Sequence, residues 1–343
     1  MNHNFYPGPS SLHPHFEEAI QSSISSGILS MNHRSTTFSS LYQQCFETIQ
    51  EKWEIPENYS LLFVSSATEA WEIIAQSLIV DEPSLHIYNG AFGEKPYNVA
   101  NKLTKEAHAF SFDYNEPLNI QSITEYPFIN ICQNETSNGT AVSNSLLIEL
   151  RKKFPKSIVS VDATSSLGGT FLDLSQADIW YSSVQKCMGL PSGMGIILIN
   201  DNAIEVINRK KISLHYNDFF NIISNTQKWQ TTHTPNILSI HALAYTQSRT
   251  DNIQVIDNRL RRRKAEILIQ LPDHKLLTTS EAITSSTILT FINNNPKKLI
   301  EKALKNNIVI GKGYGEKQNN TFRIANFPSI TDSSFEKLLH HLK

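Results

Sequence analysis

The sequence predicts an α/β protein, with a large domain on a mostly parallel sheet and a smaller α+β domain. Three observations predict this. Between residues 59 and 200, short apolar runs alternate with segments whose apolar residues recur at helical spacing, the pattern of strands joined through helices. Polar residues collect just past several of those runs, at strand carboxyl ends, where sheets of this kind bind ligands. From about residue 236 the texture changes to helices followed by short strands. On this basis residues 15–245 form the large domain, and residues 1–14 with 246–343 the small one.

The elements follow in order. YSLLFVSS (59–66) reads as an apolar strand, and ATEAWEIIAQSLI (67–79) follows with Ala70, Ile73, Ile74 and Leu78 at helical spacing. SLHIYNG (84–90) is a strand and EKPYNVANKLTKEA (94–107) a helix. FINICQNETSNGT (128–140) is a short strand opening into a polar loop. SNSLLIELRKKFP (143–155) is a helix with Leu146, Leu147 and Leu150 on one face. SIVSVDATSS (157–166) is a strand with a polar end. ADIWYSSVQK (177–186) and MGIILIN (194–200) complete the block, the last as a hairpin return. Beyond it lie helices over 236–247 and 254–270, strands over 286–292, 308–315 and 321–327, and a final helix over 331–342. The N-terminal segment is expected to join this second region.

Composition narrows the function classes. Thirty Lys and Arg stand against 32 Asp and Glu, a net charge of −2, so neither nucleic acid nor an anionic membrane is an expected partner. RLRRRK (259–264) is the one basic cluster, read as a solvated helix face. No apolar run approaches a bilayer span of roughly 20 residues, and the N-terminus has no apolar signal core. Cys45, Cys132 and Cys187 are scattered, with neither a disulfide nor a metal spacing, which points to a reducing cytoplasm. His13 with His15, and His340 with His341, read as solvated pairs.

ADIWYSSVQKCMGLPSG (177–193) ends an apolar strand with Lys186 at a bend rich in glycine and serine. Most lysines at strand ends are surface charges. The alternative is a nucleophilic amine that holds a carbonyl cofactor as a Schiff base. A pyridoxal phosphate site needs such a lysine, a carboxylate that keeps the ring nitrogen protonated, and phosphate donors, ideally N–H groups at a helix N-terminus. Lys186, Asp162 at another strand end, and SSATEAW (65–71), where Ala67 and Thr68 open a helix, supply that set. Taken alone, Asp162 is a cap or turn residue, and Ser66 is an N-cap with Glu69 as its capping-box acid. Capping and phosphate binding are compatible, because an anion satisfies amides that the cap leaves free.

These residues belong to a longer resemblance. NFYPGPSSLHP near the N-terminus, SMNHRSTTF (30–38), IPENYSLLFVSSATEAW, ICQNETSNGT, VDATSSLGG and SSVQKCMGLPSG together resemble the class V aminotransferase group of fold-type I pyridoxal phosphate enzymes, and within it the phosphoserine aminotransferases. The resemblance implies a catalytic Lys186 that carries the cofactor and an Asp162 on the pyridine nitrogen. It implies that Gln185 and Thr136 hold the rest of the cofactor, with phosphate on Ala67 and Thr68. Phe92 stands where the family usually stacks a tryptophan on the ring; taken alone, it is a core aromatic. His233, where the family usually has asparagine, and Thr234 match the segment that reaches the neighbouring subunit's cofactor phosphate. A site completed in this way implies a homodimer.

The same resemblance makes Arg34, helped by His33, the candidate for the donor's distal acid group, and Arg323 the candidate for the α-carboxylate. One departure stands out. The family's small domain usually carries a Gly-His-Arg segment that clamps the substrate phosphate, and IVIGKGYGEKQNNTFRIAN has no such pair. Lys312 or Lys317 could substitute as point charges. Gly313-Tyr314-Gly315 and Phe322-Arg323-Ile324 look more like alanine–glyoxylate and serine–pyruvate aminotransferases of the same group. The expectation is an aminotransferase exchanging an amino group between O-phospho-L-serine and 2-oxoglutarate in serine biosynthesis, with an unphosphorylated small amino acid as the alternative. A desulfurase or lyase would need a reactive cysteine on a mobile loop. A cofactor-free binding protein would need none of Lys186, Asp162, Arg34 and Arg323.

Overall fold

The computed structural model of the chain describes residues 3–104 and 106–343. Its strands and helices begin with β1 (His3–Phe5), α1 (Phe16–Ser25), α2 (Thr36–Trp53), β2 (Tyr59–Val64), α3 (Ala67–Leu78), β3 (Ser84–Tyr88), α4 (Glu94–Leu103) and β4 (Ala107–Ser111). There follow β5 (Phe128–Cys132), a small hairpin of β6 (Asn134–Glu135) and β7 (Thr140–Ala141), α5 (Asn144–Lys153), β8 (Ile158–Asp162), β9 (Ile179–Ser183) and β10 (Gly195–Asn200). Four helices come next, α6 (Asp201–Lys210), α7 (Phe219–Thr226), α8 (Ile237–Gln247) and α9 (Ile253–Gln270). The chain ends with β11 (Ile288–Ile292), α10 (Pro296–Lys305), β12 (Ile308–Lys312), β13 (Thr321–Ala325) and α11 (Asp332–Leu342).

Seven strands form one sheet in the order β2-β10-β9-β8-β5-β3-β4. From β9 to β4 the neighbours are parallel, and β10 runs antiparallel to both β9 and β2. The hairpin return over 194–200 is therefore present, and it is wedged between two strands. Continuous apolar runs form these strands because helices cover both faces. Alternation still sorts the residues. Ile196 and Leu198 join the core that contains Trp53, Tyr42 and Leu243, whereas Ile197 and Ile199 join the opposite core with Ile73, Leu78 and Phe219.

A second sheet has the order β1-β12-β13-β11, with β1 parallel to β12. The N-terminal strand is thus part of it, as expected, and this sheet has its own core around Phe5, Ile267, Phe291, Phe322 and Leu338. No described helix is long and apolar enough to cross a membrane.

Several local expectations need correction. The basic cluster is not wholly a solvated face: Arg263 is buried, lies 4.3 Å from the Phe335 ring and pairs with Asp332. His13 is also buried, and its N–H donates to the Gly189 carbonyl at 2.6 Å; burial and the neighbouring His15 and Arg259 lower its pKa to about 4. His341 is half-buried where His340 is exposed. The helix read over 94–107 ends at Leu103, and its last residue, Ala107, opens β4, an edge strand too exposed to show an apolar run. Strand β9 ends at Ser183, so Lys186 belongs to the turn that follows rather than to the strand.

Gly195 ties the sheet to that polar rim. A Cβ there would come within 2.6 Å of the Ser66 carbonyl carbon and 2.9 Å of the Ala67 nitrogen, so the start of α3 must move to admit one. Gly195→Ala should lower stability by about 1–3 kcal/mol, the usual range for overpacking. A thermal unfolding midpoint equal to wild type would show instead that the turn shifts freely.

Candidate active site

A cavity of about 260 Å³ lies at the carboxyl ends of β5, β8 and β9. The second sheet closes it with Arg323 and Lys312, and the N-terminal segment with Tyr6, Pro7 and Gly8. Eight of the sequence-predicted residues line it: Ala67, Thr68, Phe92, Thr136, Asp162, Gln185, Lys186 and Arg323.

Lys186 is 8% exposed, and its Nζ donates to Thr136 Oγ1 at 3.1 Å and lies 5.4 Å from the centre of the Phe92 ring. Burial lowers its pKa below that of an ordinary lysine, against the opposing pull of Asp162. Gly8 packs on its stem. With φ at +138°, and with a Cβ that would stand 2.9 Å from Lys186 Cε, that position calls for glycine. Asp162 is the last residue of β8 and buried; its Oδ1 accepts from the Thr164 N–H at 2.9 Å. Burial raises its pKa, and the hydrogen bonds from Thr164 and the charge of Lys186 work against that rise.

Helix α3 presents its N-terminus to the same space. Ser66 caps it by accepting from the Glu69 N–H at 3.0 Å, and the Ala67 N–H donates to Ser183 Oγ at 2.9 Å. The Glu69 carboxylate accepts from Ser65 N–H at 2.6 Å, one residue before the position that a regular capping box uses. Thr68, the second helical residue, keeps its N–H and hydroxyl free of partners among the described residues.

The hairpin of β6 and β7 anchors the remaining walls. Glu135 is 1% exposed, and its carboxylate accepts from the N–H groups of Phe92, Gly93 and Ser137 and from the Ser137 hydroxyl. The Thr136 carbonyl accepts from Arg323 Nη1 at 2.8 Å, and Arg323 Nε reaches the Lys312 carbonyl at 2.9 Å. Arg323 is buried, which lowers its pKa.

The other four predicted residues lie elsewhere. His33, Arg34, His233 and Thr234 gather at the surface, where His33 Nδ1 and Thr234 Oγ1 are 3.3 Å apart. Arg34 Nη1 donates to Asn225 Oδ1 and Gln230 Oε1, each at 2.8 Å. None of the four lines the cavity. Nor does Lys317, whose Nζ sits 5.7 Å from the Tyr114 ring; of the two lysines considered as substitutes, only Lys312 does. Sequence reading missed Trp71, Lys95 and Tyr314. Trp71 lies one helical turn past Ala67 on α3, so helical spacing was an available signal for it, whereas Lys95 follows a Phe92 that precedes α4 and had none.

The comparisons bear on this geometry. Residues 4–318 match the family model described as aminotransferase class-V. A phosphoserine aminotransferase of Rhodococcus opacus is 28% identical over 246 residues, covering 69% of this chain and 64% of that protein. The aligned part thus spans less than two thirds of that relative. One from Corynebacterium glutamicum is 25% identical, covering 96% of this chain and 91% of that protein. The crystal structure of a phosphoserine aminotransferase from Cytophaga hutchinsonii superposes with a TM-score of 0.94 at 28% identity, over 100% of this chain and 99% of that one. An alanine–glyoxylate aminotransferase from Nostoc sp. shares the fold, with a TM-score of 0.88 at 21% identity, over 99% and 94% of the two chains.

The chain belongs to the class V aminotransferase family, and its architecture is that of the fold-type I enzymes. Pyridoxal phosphate is the cofactor that goes with that family. The cavity fits it: a buried amine, a buried carboxylate, and a helix N-terminus with a free N–H and a free hydroxyl all border one space.

Glu135 yields a direct test of how the walls are held. Glu135→Ala leaves the buried N–H groups of Gly93 and Ser137 and the half-buried N–H of Phe92 without their acceptor. The two buried groups alone should lower stability by about 2–6 kcal/mol, at roughly 1–3 kcal/mol each. Thermal unfolding reads this; a loss below about 1 kcal/mol would mean that the hairpin is held without the carboxylate.

Proposed function

We propose that the protein is a pyridoxal phosphate-dependent aminotransferase that exchanges an amino group between O-phospho-L-serine and 2-oxoglutarate, a step of serine biosynthesis. The observation that supports it is the meeting of Lys186, Asp162 and the free end of α3 in one cavity with Arg323. In this reading residues 15–245 form the cofactor-binding domain, and residues 1–14 with 246–343 the domain that closes the site. The buried free cysteines suit a cytoplasmic protein.

When bound, pyridoxal phosphate would supply a carbonyl carbon to carry the amino group and an electron sink for the bond broken at the substrate α-carbon. Lys186 would hold the group's carbonyl carbon through Nζ, and the same amine would serve as the base for the substrate's α proton. Burial suits it to this task, since an amine with a lowered pKa is unprotonated nearer neutral pH. Asp162 would keep the ring nitrogen charged, and Phe92, Thr136 and Gln185, which line the same cavity, would hold the rest of the group. Thr68, Ala67 and Ser183 would take the phosphate, and Arg323 would take the α-carboxylate with the planar fork suited to it.

His33, Arg34, His233 and Thr234 have no role in their own subunit's cavity, which supports a homodimer in which they complete the partner's site. A second reading, an unphosphorylated small amino acid, is favoured by Tyr314 in the cavity wall and by the absence of a His-Arg pair beside it.

The deciding experiment is the half-reaction. Protein loaded with pyridoxal phosphate is mixed separately with O-phospho-L-serine, L-glutamate, L-serine and L-alanine, and the visible absorbance of the bound cofactor is followed. Conversion by the first two alone supports the reading; conversion by serine or alanine alone replaces it with the second. Lys186→Ala, carried in parallel, should fold but lack that absorbance.

The dimer has its own test. Neither Arg34→Ala nor Lys186→Ala alone should be active. Co-expressed with two tags and isolated as a hybrid, they should recover about half of the wild-type activity, since one of the two shared sites is then intact. An inactive hybrid would refute sharing.

A further inference from the structure

The cavity is lined by four cations: Lys186, Arg323, Lys95 and Lys312. The proposed function occupies the first two, and the inference drawn here rests on that reading. Lys95 is the second residue of α4 and half-buried. Its Nζ lies 3.2 Å from the Tyr314 hydroxyl, 4.5 Å from the centre of the Phe92 ring and 5.5 Å from that of Tyr314. Those two rings are themselves 4.6 Å apart. Among the described residues no carboxylate pairs with Lys95. Aromatic faces orient an ammonium without neutralising it, so a partly desolvated positive charge is held at the cavity wall.

The same two rings relate Lys95 to the other cations. Lys186 Nζ is 5.4 Å from the Phe92 ring, and the Arg323 guanidinium carbon is 5.5 Å from the Tyr314 ring. An α-amino acid with its amino group toward Lys186 and its carboxylate on Arg323 lies against this pair of rings. A third charged group on the substrate then needs a cation of this subunit within reach, beside the Arg34 that the proposed homodimer would bring from the partner. Lys312 is the weaker candidate: its side chain is exposed, and it also borders a separate surface cavity beside Asn295 and Gln318.

We propose that Lys95 binds the distal anionic group of the amino-acid substrate, phosphate or carboxylate, in place of the His-Arg pair absent from the small-domain sequence. Tyr314 then acts as its positioning residue, holding the ammonium through the hydroxyl. This would reconcile an acidic substrate with a Gly-Tyr-Gly segment that otherwise looks suited to a small one.

The test is the ratio of kcat/KM for O-phospho-L-serine and for L-glutamate to that for L-alanine, measured in single turnover on wild type, Lys95→Met and Lys95→Arg loaded with cofactor. Lys95→Met should depress both ratios by about tenfold to a hundredfold, the size of a lost hydrogen bond to a charged group, with the loss mainly in KM. Lys95→Arg should restore most of it, which a purely structural lysine would not predict. A fall for phosphoserine alone assigns the phosphate, and a fall for glutamate alone the carboxylate. Ratios unchanged in Lys95→Met, in a wild type that converts the acidic substrates, overturn the role of Lys95 and leave the proposed function standing. A wild type that converts alanine but neither acidic substrate overturns both.

Discussion

Thr136 holds the site together. Its hydroxyl accepts from Lys186 of the seven-stranded sheet's rim, and its carbonyl accepts from Arg323 of the four-stranded sheet. One residue therefore sets the separation between the amine and the guanidinium, and it does so from a two-stranded hairpin belonging to neither sheet. That hairpin is itself fixed by buried polar bonds. Asn134 donates to Ser165 Oγ and Thr287 Oγ1 and accepts from Ser285, and Glu135 gathers N–H groups on both sides. Buried polar groups are tolerated only when satisfied. Satisfying these obliges residues 134–137, 165 and 285–287 to meet in one arrangement.

The electrostatics follow from that arrangement. Removing an amine and a guanidinium from water is costly, and the pKa values of Lys186 and Arg323 are both displaced downward by burial. Asp162 and Glu135 lie near enough to oppose the displacement without forming direct ion pairs with them. The cations are thus stabilised at a distance and left with bonding capacity toward the cavity. A close salt bridge would have consumed it. Lys95 extends the same principle with aromatic faces in place of carboxylates.

Much of the fold was legible because the large sheet is buried on both faces. Its strands read as apolar runs, and Asp162 and Lys186 marked their ends. Strand β4 was not legible, being half exposed at an edge. Arg263 was misread because its burial depends on Asp332 and Phe335, far away in sequence. Asp162, Ala67, Thr68 and Lys186 could be picked out because they sit at or just past a strand end or at a helix start, whereas Phe92 and Arg323, the latter in the middle of β13, were reached through the family resemblance. Lys95 belongs to the cavity only through packing, and no local pattern marks a lysine that lies across an aromatic pair.

By itself, then, the sequence determined the strand–helix order, the chemistry available at each strand end and the membership of the family. Those properties reside in short segments, where periodicity and residue type act locally. Tertiary structure alone decided which charges share a space. It placed Arg323 against Thr136 across 187 residues, and it kept Arg34 and His233 out of their own cavity and Lys95 inside it. The physical reason is that desolvation, ring contacts and hydrogen-bond satisfaction are properties of neighbours in space, which the chain acquires only when its two sheets come together.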